Sequence, residues 1–198
     1  MKKIFLLTIV IYVTINLNQV SYAQEENNLG DVVMVEGIYL RNLGNFGEVW
    51  SDAAGAYVNY GIFFPEHNLL LIRTGFMSHN LRNSDSTDGS LSVIPLHIGG
   101  RYYFTNDRFM PFFHFMNGFN IVFETVNLIG EQEDRILFKY FWQVGIGGTF
   151  RVSENINIDL GLNYNSAFYE NNKELYGAQG AMMTGFEYSV GLAWRLNN

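Results

Sequence analysis

NINIDLGLNYN, residues Asn155 to Asn165, alternates without a break. Ile156, Ile158, Leu160, Leu162 and Tyr164 fall on one side; Asn157, Asp159, Gly161, Asn163 and Asn165 fall on the other. A period of two gives an extended chain one apolar and one polar face, and a helix would scatter the same residues around its axis. TGFEYSVGLAWRL, Thr184 to Leu196, repeats the pattern. Thr184, Phe186, Tyr188, Val190, Leu192, Trp194 and Leu196 oppose Gly185, Glu187, Ser189, Gly191, Ala193 and Arg195. Between Lys139 and Arg151, Tyr140, Trp142, Val144, Ile146 and Phe150 oppose Lys139, Gln143, Gly145, Gly147, Thr149 and Arg151, with Phe141 an apolar exception.

Working outward from these three, five further segments follow the same rule less cleanly: Val32–Arg41, Ala53–Phe64, Asn68–Met77, Leu91–Phe104 and Phe109–Asn120. Val32–Arg41 is the weakest, because Glu36 and Arg41 fall on opposite faces, and a bulge or strand end is expected there. The connections alternate in length. Pro65–His67, Thr105–Arg108 and Val152–Glu154 are of hairpin length, whereas Asn42–Asp52, Ser78–Ser90, Ile121–Leu137 and Ser166–Met182 are long and polar. Residues facing each other across a hairpin share a side of the sheet. Pairing Phe64 with Asn68, Phe104 with Phe109 and Arg151 with Asn155 puts Asn59 opposite Arg73, Gly99 opposite His114 and Gly147 opposite Asp159, so all three tight hairpins agree in face.

The chain has 198 residues, 48% of them apolar, with 20 glycines, three prolines, no cysteine and a net charge of −7. That apolar content argues against disorder, and the acidic balance argues against nucleic acid. The absence of cysteine excludes disulfides and thiolate metal sites. Met1-Lys2-Lys3, the apolar run Ile4–Ile15 and Ser21-Tyr22-Ala23 read as an export signal covering residues 1–23 and cleaved after Ala23. Residues 24–198 then form one domain with no stretch long enough for a helical membrane span.

Charge decides which face turns inward. The polar face carries Arg73, Arg101, Lys139, Arg151, Asp159, Glu187 and Arg195 among many glycines. So many charges are expected inside only where lipid lies outside. The fold class is therefore all-β, an eight-stranded antiparallel up-and-down transmembrane β-barrel whose interior side chains can fill. Those seven residues form the expected lumen charge network, with Glu36 a further inward acid. Phe64, Tyr102, Phe104, Phe109, Phe150 and Trp194 lie near the short turns and form the expected interfacial girdle on the periplasmic side. Phe76, Tyr140, Trp142, Tyr164 and Phe186 are the candidates for the outer girdle.

The run Ile94-Pro-Leu-His-Ile-Gly-Gly-Arg-Tyr-Tyr-Phe104, then Pro111-Phe112-Phe113, and the closing Gly191–Leu196 resemble segments of the small outer-membrane β-barrel proteins. These are the OmpA/OmpX-like and PorT-like barrels of Bacteroidetes. The resemblance implies residence in the bacterial outer membrane with the long loops outside, and two partners: outer-membrane lipids and the barrel-assembly machinery. Many such barrels end in an aromatic residue read by that machinery, whereas this sequence ends Leu196-Asn197-Asn198.

Chemistry is scarce. His97 and His114 would be diagonal neighbours by the pairing above, a two-histidine pair without a third ligand, and read as packed lumen residues. Ser78-His79 is the one adjacent serine–histidine pair, but neighbours on a strand point to opposite faces, and no His-x-Ser motif is present. Inward Tyr57, Phe63, Tyr103, Phe112 and Met116 would plug a bore. No cofactor and no enzymatic activity are expected. The functional expectation is a barrel acting in envelope integrity or partner binding through four long extracellular loops. The alternatives are a membrane-embedded lipid A-modifying enzyme and a soluble lipocalin-like calyx with its apolar face inside.

Overall fold

The computed structural model describes residues 30–64, 67–82, 87–128, 131–168 and 182–196. The export signal expected over residues 1–23 lies outside them. Eight antiparallel strands close into one barrel in sequence order: β1 Asp31–Leu43, β2 Ala53–Phe64, β3 Asn68–Asn80, β4 Thr87–Tyr103, β5 Phe109–Leu128, β6 Glu131–Arg151, β7 Ile156–Phe168 and β8 Met182–Arg195. One short helix, α1 (Gly44–Val49), lies between β1 and β2. From Val32 the ladder of paired residues passes Gly61, Leu71, Gly99, Met116, Gln143, Asn165 and Gly185. It returns to β1 at Asn42, ten residues along. That stagger tilts the strands by about 35–45° and leaves an interior that side chains can fill.

The alternation read from the sequence sets the faces. Leu160, Leu192 and Trp194 are 57–59% exposed on the outside, while Asp159, Asn163 and Glu187 are buried inside. The barrel thus turns its apolar face to the bilayer and its polar face to the lumen, as a membrane-spanning sheet must. A calyx would need the reverse.

Several expectations require correction. The β2–β3 hairpin pairs Phe64 with Asn68 as read. The β4–β5 hairpin pairs Tyr103 with Phe112 and the β6–β7 hairpin pairs Arg151 with Asn157, each displaced by two residues from the sequence reading. An even displacement leaves every face unchanged, so parity could not reveal it. The longer turns have their own bonds: Thr105 Oγ1 donates to the Phe109 carbonyl at 3.1 Å, and the Ile156 N–H to Ser153 Oγ at 3.1 Å.

β1 has neither bulge nor break; its pairing with β8 runs continuously from Val32 to Leu43, with Val32, Met34, Glu36, Ile38 and Leu40 buried and Arg41 outside. Most of Ile121–Leu137, read as a loop, belongs to strands: β5 and β6 stay paired from Phe109↔Phe150 to Leu128↔Glu131. The described ends of β3, β4, β7 and β8 likewise shorten Ser78–Ser90 and Ser166–Met182.

The lumen has three layers. The outer one is apolar and includes Ile38, Leu40, Tyr57, Met77, Leu91 and Phe141; the inner one holds Val32, Met34, Leu69, Leu71, Phe112 and Met116. Charged and amide side chains occupy the level between them. Glycines make room for this packing. A Cβ on Gly147 would stand 2.4 Å from the Phe112 ring, and one on Gly145 would stand 1.9 Å from Asn163 Oδ1.

Candidate functional site

Glu36, on the inner face of β1, is the centre of the buried charges. Its carboxylate lies 3.1 Å from Arg73 of β3 and 3.7 Å from Arg101 of β4. Arg73 also donates to Asn59 Oδ1 at 2.7 Å and Gln143 Oε1 at 2.8 Å, and its guanidinium sits 4.5 Å over the Tyr57 ring. Arg101 pairs with Asp159 of β7 and lies 3.9 Å over the Phe112 ring. Glu187 accepts from Tyr57 Oη (2.8 Å), Gln143 Nε2 (2.8 Å) and Asn163 Nδ2 (3.0 Å).

Buried ions endure when each is paired and its remaining lone pairs and protons are bonded. The central layer meets that condition in part. It holds two arginines, three carboxylates and four neutral side chains drawn from seven strands. Glu187 has neutral donors in place of a cation and, among the described residues, Arg101 Nε and Asp159 Oδ1 are buried without a hydrogen-bond partner.

Of the seven residues read from the sequence as a lumen network, the structure brings Arg73, Arg101, Asp159 and Glu187 into this layer, with Glu36 as their hub. Lys139, Arg151 and Arg195 face inward but sit nearer the ends. Arg151 reaches the Asn106 carbonyl at 3.5 Å, and Arg195 stacks 5.0 Å over Phe63. Glu187, expected within the charge network, is held by the neutral donors Tyr57, Gln143 and Asn163. His97 and His114 are not neighbours: with β4–β5 displaced by two, Arg101 faces His114 and Gly118 faces His97. His97 bonds Asn120 Oδ1 at 2.9 Å and stacks on Phe141 at 4.0 Å; His114 stacks on Phe112 at 5.8 Å. Among the described residues no group of three or more His, Asp or Glu side chains is placed to hold a metal ion.

The mouth at the long-loop end was read as a polar loop, Asn42–Asp52. It folds inward instead. Phe46 on α1 and Trp50 just after it are wholly buried in the outer apolar layer, their rings 6.4 Å apart. Burying each contributes about 1.5–3 kcal/mol by transfer alone. Asn42 Nδ2 bonds His79 Nδ1 at 3.0 Å and the Ser51 carbonyl at 2.6 Å, and the edge of Phe46 meets the His79 ring at 5.6 Å.

Asp52 closes the rim. It accepts from Tyr39 Oη at 2.7 Å and the Asn42 N–H at 3.0 Å, with Arg82 3.9 Å away. Burial opposes its charge, but these contacts outweigh burial and hold the carboxyl below the usual carboxylate range. His79 is therefore a latch for the mouth, while Ser78 faces the other way. The pair makes no catalytic dyad. His79→Ala should cost about 1 kcal/mol for a lost hydrogen bond and raise acrylamide quenching of Trp50. Unchanged quenching would show that the apolar contacts alone seat the helix.

The short-turn end carries an aromatic ring of residues. Tyr102, Phe104, Phe109, Phe150 and Trp194 are exposed on the outside and Phe64 is half-buried there; Tyr102 meets Phe104 edge-on at 5.4 Å, and Phe109 lies 5.9 Å from Phe150. At the other end Trp142, Tyr164 and Phe186 form a chain with centroids 5.7 Å apart, joined by Tyr39 with Tyr188 and Phe119 with Tyr140. Two aromatic levels flanking an apolar band are the signature of a membrane-spanning barrel. β4, β5 and β6 continue past the upper level as a sheet, paired out to Thr87↔Leu128 and Leu128↔Glu131.

No family model matches the chain, and no curated protein matches it. Solved structures do match. Neisserial surface protein A (NspA) is similar over 84% of this chain and 97% of its own, with 18% identity and a TM-score of 0.57. Ail, the attachment invasion locus protein of Yersinia pestis, is similar over 84% and 99%, with 14% identity and a TM-score of 0.58. The outer membrane protein OprG from Pseudomonas aeruginosa is similar over 85% and 97%, with 10% identity and a TM-score of 0.53. At these identities the likeness is one of fold: small eight-stranded barrels.

Proposed function

We propose that this protein is an integral bacterial outer-membrane barrel that performs no chemistry, passes no solute through its lumen, and acts through its outer surface in envelope integrity or partner binding. The observation that carries this reading is the filled lumen. Three packed layers occupy it, and Phe46 and Trp50 close the outer mouth. With the interior given over to packing, the surface left for recognition is the β4–β5–β6 sheet above the upper aromatic level and the segments that join the strands at that end. The fold shared with NspA, Ail and OprG supports the outer-membrane placement. The separation of Ser78 from His79 across the barrel wall favours a binding role over a lipid-modifying one.

Topology tests the reading. An epitope inserted after Gly130, in the connection between β5 and β6, should be reachable by antibody on intact cells. Insertion there costs little, because loop-closure entropy grows slowly with length. An epitope at Asn106, in the short β4–β5 turn, should be reachable only after the outer membrane is opened. Reversed accessibility would mean an inverted barrel, and a protein that fractionated as soluble would sink the membrane placement. In planar bilayers the purified barrel should pass no sustained current; steady conductance would contradict the sealed lumen.

A further inference from the structure

On β1 and β3 the outer apolar face stops at the upper aromatic level. Beyond Tyr39 comes Arg41, and beyond Phe76 come Ser78 and Asn80. On β5 and β6 it does not stop. The outward-facing cross-strand pairs run Phe119↔Tyr140, then Ile121↔Phe138, then Phe123↔Ile136, before the polar pair Thr125↔Asp134 ends the series with a 2.8 Å hydrogen bond. Ile136 and Phe138 are 63% and 71% exposed, the latter the most exposed large apolar side chain described. Phe168 and Met182, a registered pair on β7 and β8, widen the strip. It continues four residues past Phe119 and six past Trp142, which at ~3.3 Å per residue on strands tilted ~40° is roughly 10–15 Å of extra apolar height on one side of the barrel.

We infer that this strip lies against lipid acyl chains, so that the β5–β8 side of the barrel is embedded deeper than the β1–β3 side. The argument is continuity. The strip is the uninterrupted extension of the bilayer-facing surface, on the same strands and the same face, and only the pair that ends it is polar. A band taller on one side is accommodated by tilting the barrel toward that side. The inward face of the same hairpin, with Val122, Glu124 and Val126, is packed in the barrel, so the role proposed above falls to the hairpin beyond the Thr125↔Asp134 pair and to the segments that join the strands at that end. The inference rests on the membrane reading of the barrel.

Because the chain has no cysteine, a single nitroxide label reports one position. Phe138→Cys and Ile136→Cys, each labelled and refolded into phosphatidylcholine vesicles, are compared with Asn80→Cys and Ile146→Cys. Asn80 lies two outward positions beyond Phe76, as Phe138 lies two beyond Trp142, so the two mark the same level on opposite sides. The measurement is relaxation by oxygen, which concentrates in acyl chains, against relaxation by a water-soluble nickel chelate. The ratio at Phe138 and Ile136 should approach that at Ile146 and exceed that at Asn80 severalfold. Ratios at both positions equal to that at Asn80 would overturn the inference and leave the strip facing water. Should Ile146 itself read as water, the membrane reading would fail first, which separates the two failures.

Discussion

Glu36→Ala should destabilise the barrel by about 3–5 kcal/mol, because it leaves buried arginine charge without its acid. Glu36 is the one carboxylate within ion-pair distance of Arg73 among the described residues, and it also supports Arg101. Glu36→Gln should cost less, since an amide oxygen still accepts from Asn59 Nδ2, the 2.7 Å bond of the native structure. Replacing Glu36 and Arg73 together by methionine should cost less than Glu36→Ala alone, because no charge is then left unpaired. Arg101 retains Asp159 in every variant. The measurement is urea unfolding in lipid vesicles, followed by heat-modifiable gel migration, with Glu154→Ala in the exposed β6–β7 turn as the reference. If Glu36→Ala unfolds at the same urea concentration as Glu154→Ala, the central layer does not depend on this acid.

Leu160→Arg should cost on the order of 2–4 kcal/mol, the range for a basic side chain on the lipid face at the midplane. Leu160 is 58% exposed on β7, midway between Ile156, which pairs with Trp194 of the lower aromatic level, and Tyr164 of the upper one. Asn163, a lumen residue, offers itself from the sequence as a milder site for the same change. The structure removes that option. Asn163 is buried against Gly145 and bonded to Glu187, so an arginine there would overpack the central layer. Val152→Arg, in the exposed turn, is the appropriate control and should change stability by less than about 0.5 kcal/mol. Folding yield into vesicles and the urea midpoint read both variants; equal behaviour of Leu160→Arg and Val152→Arg would contradict a lipid-facing Leu160.

The number of strands, their order and the face each presents were legible in the amino-acid sequence because all three are local. Ile156 through Tyr164 alternate with period two, and that alternation alone assigns Leu160 outward and Asp159 inward. The same reading placed Arg73, Arg101, Asp159 and Glu187 on the inner wall. Offset along the strand is a different quantity. A slip of two residues preserves every face, so the shifted registers of β4–β5 and β6–β7 left no trace in the pattern, and with them went the neighbourhood of His97 and His114. Which charges meet across the lumen is further still from local pattern. Glu36 reaches Arg73 and Arg101 only after ten residues of shear have set the height of each strand against β1. Phe46 and Trp50 stand in a glycine-containing, acidic segment that reads as a solvated loop. Only a closed barrel with an apolar outer layer gives those two rings a place to be buried. Tertiary structure decided the register, the pairing of charges and the sealing of the mouth, because each depends on distances between residues far apart in the chain, which side-chain periodicity does not encode.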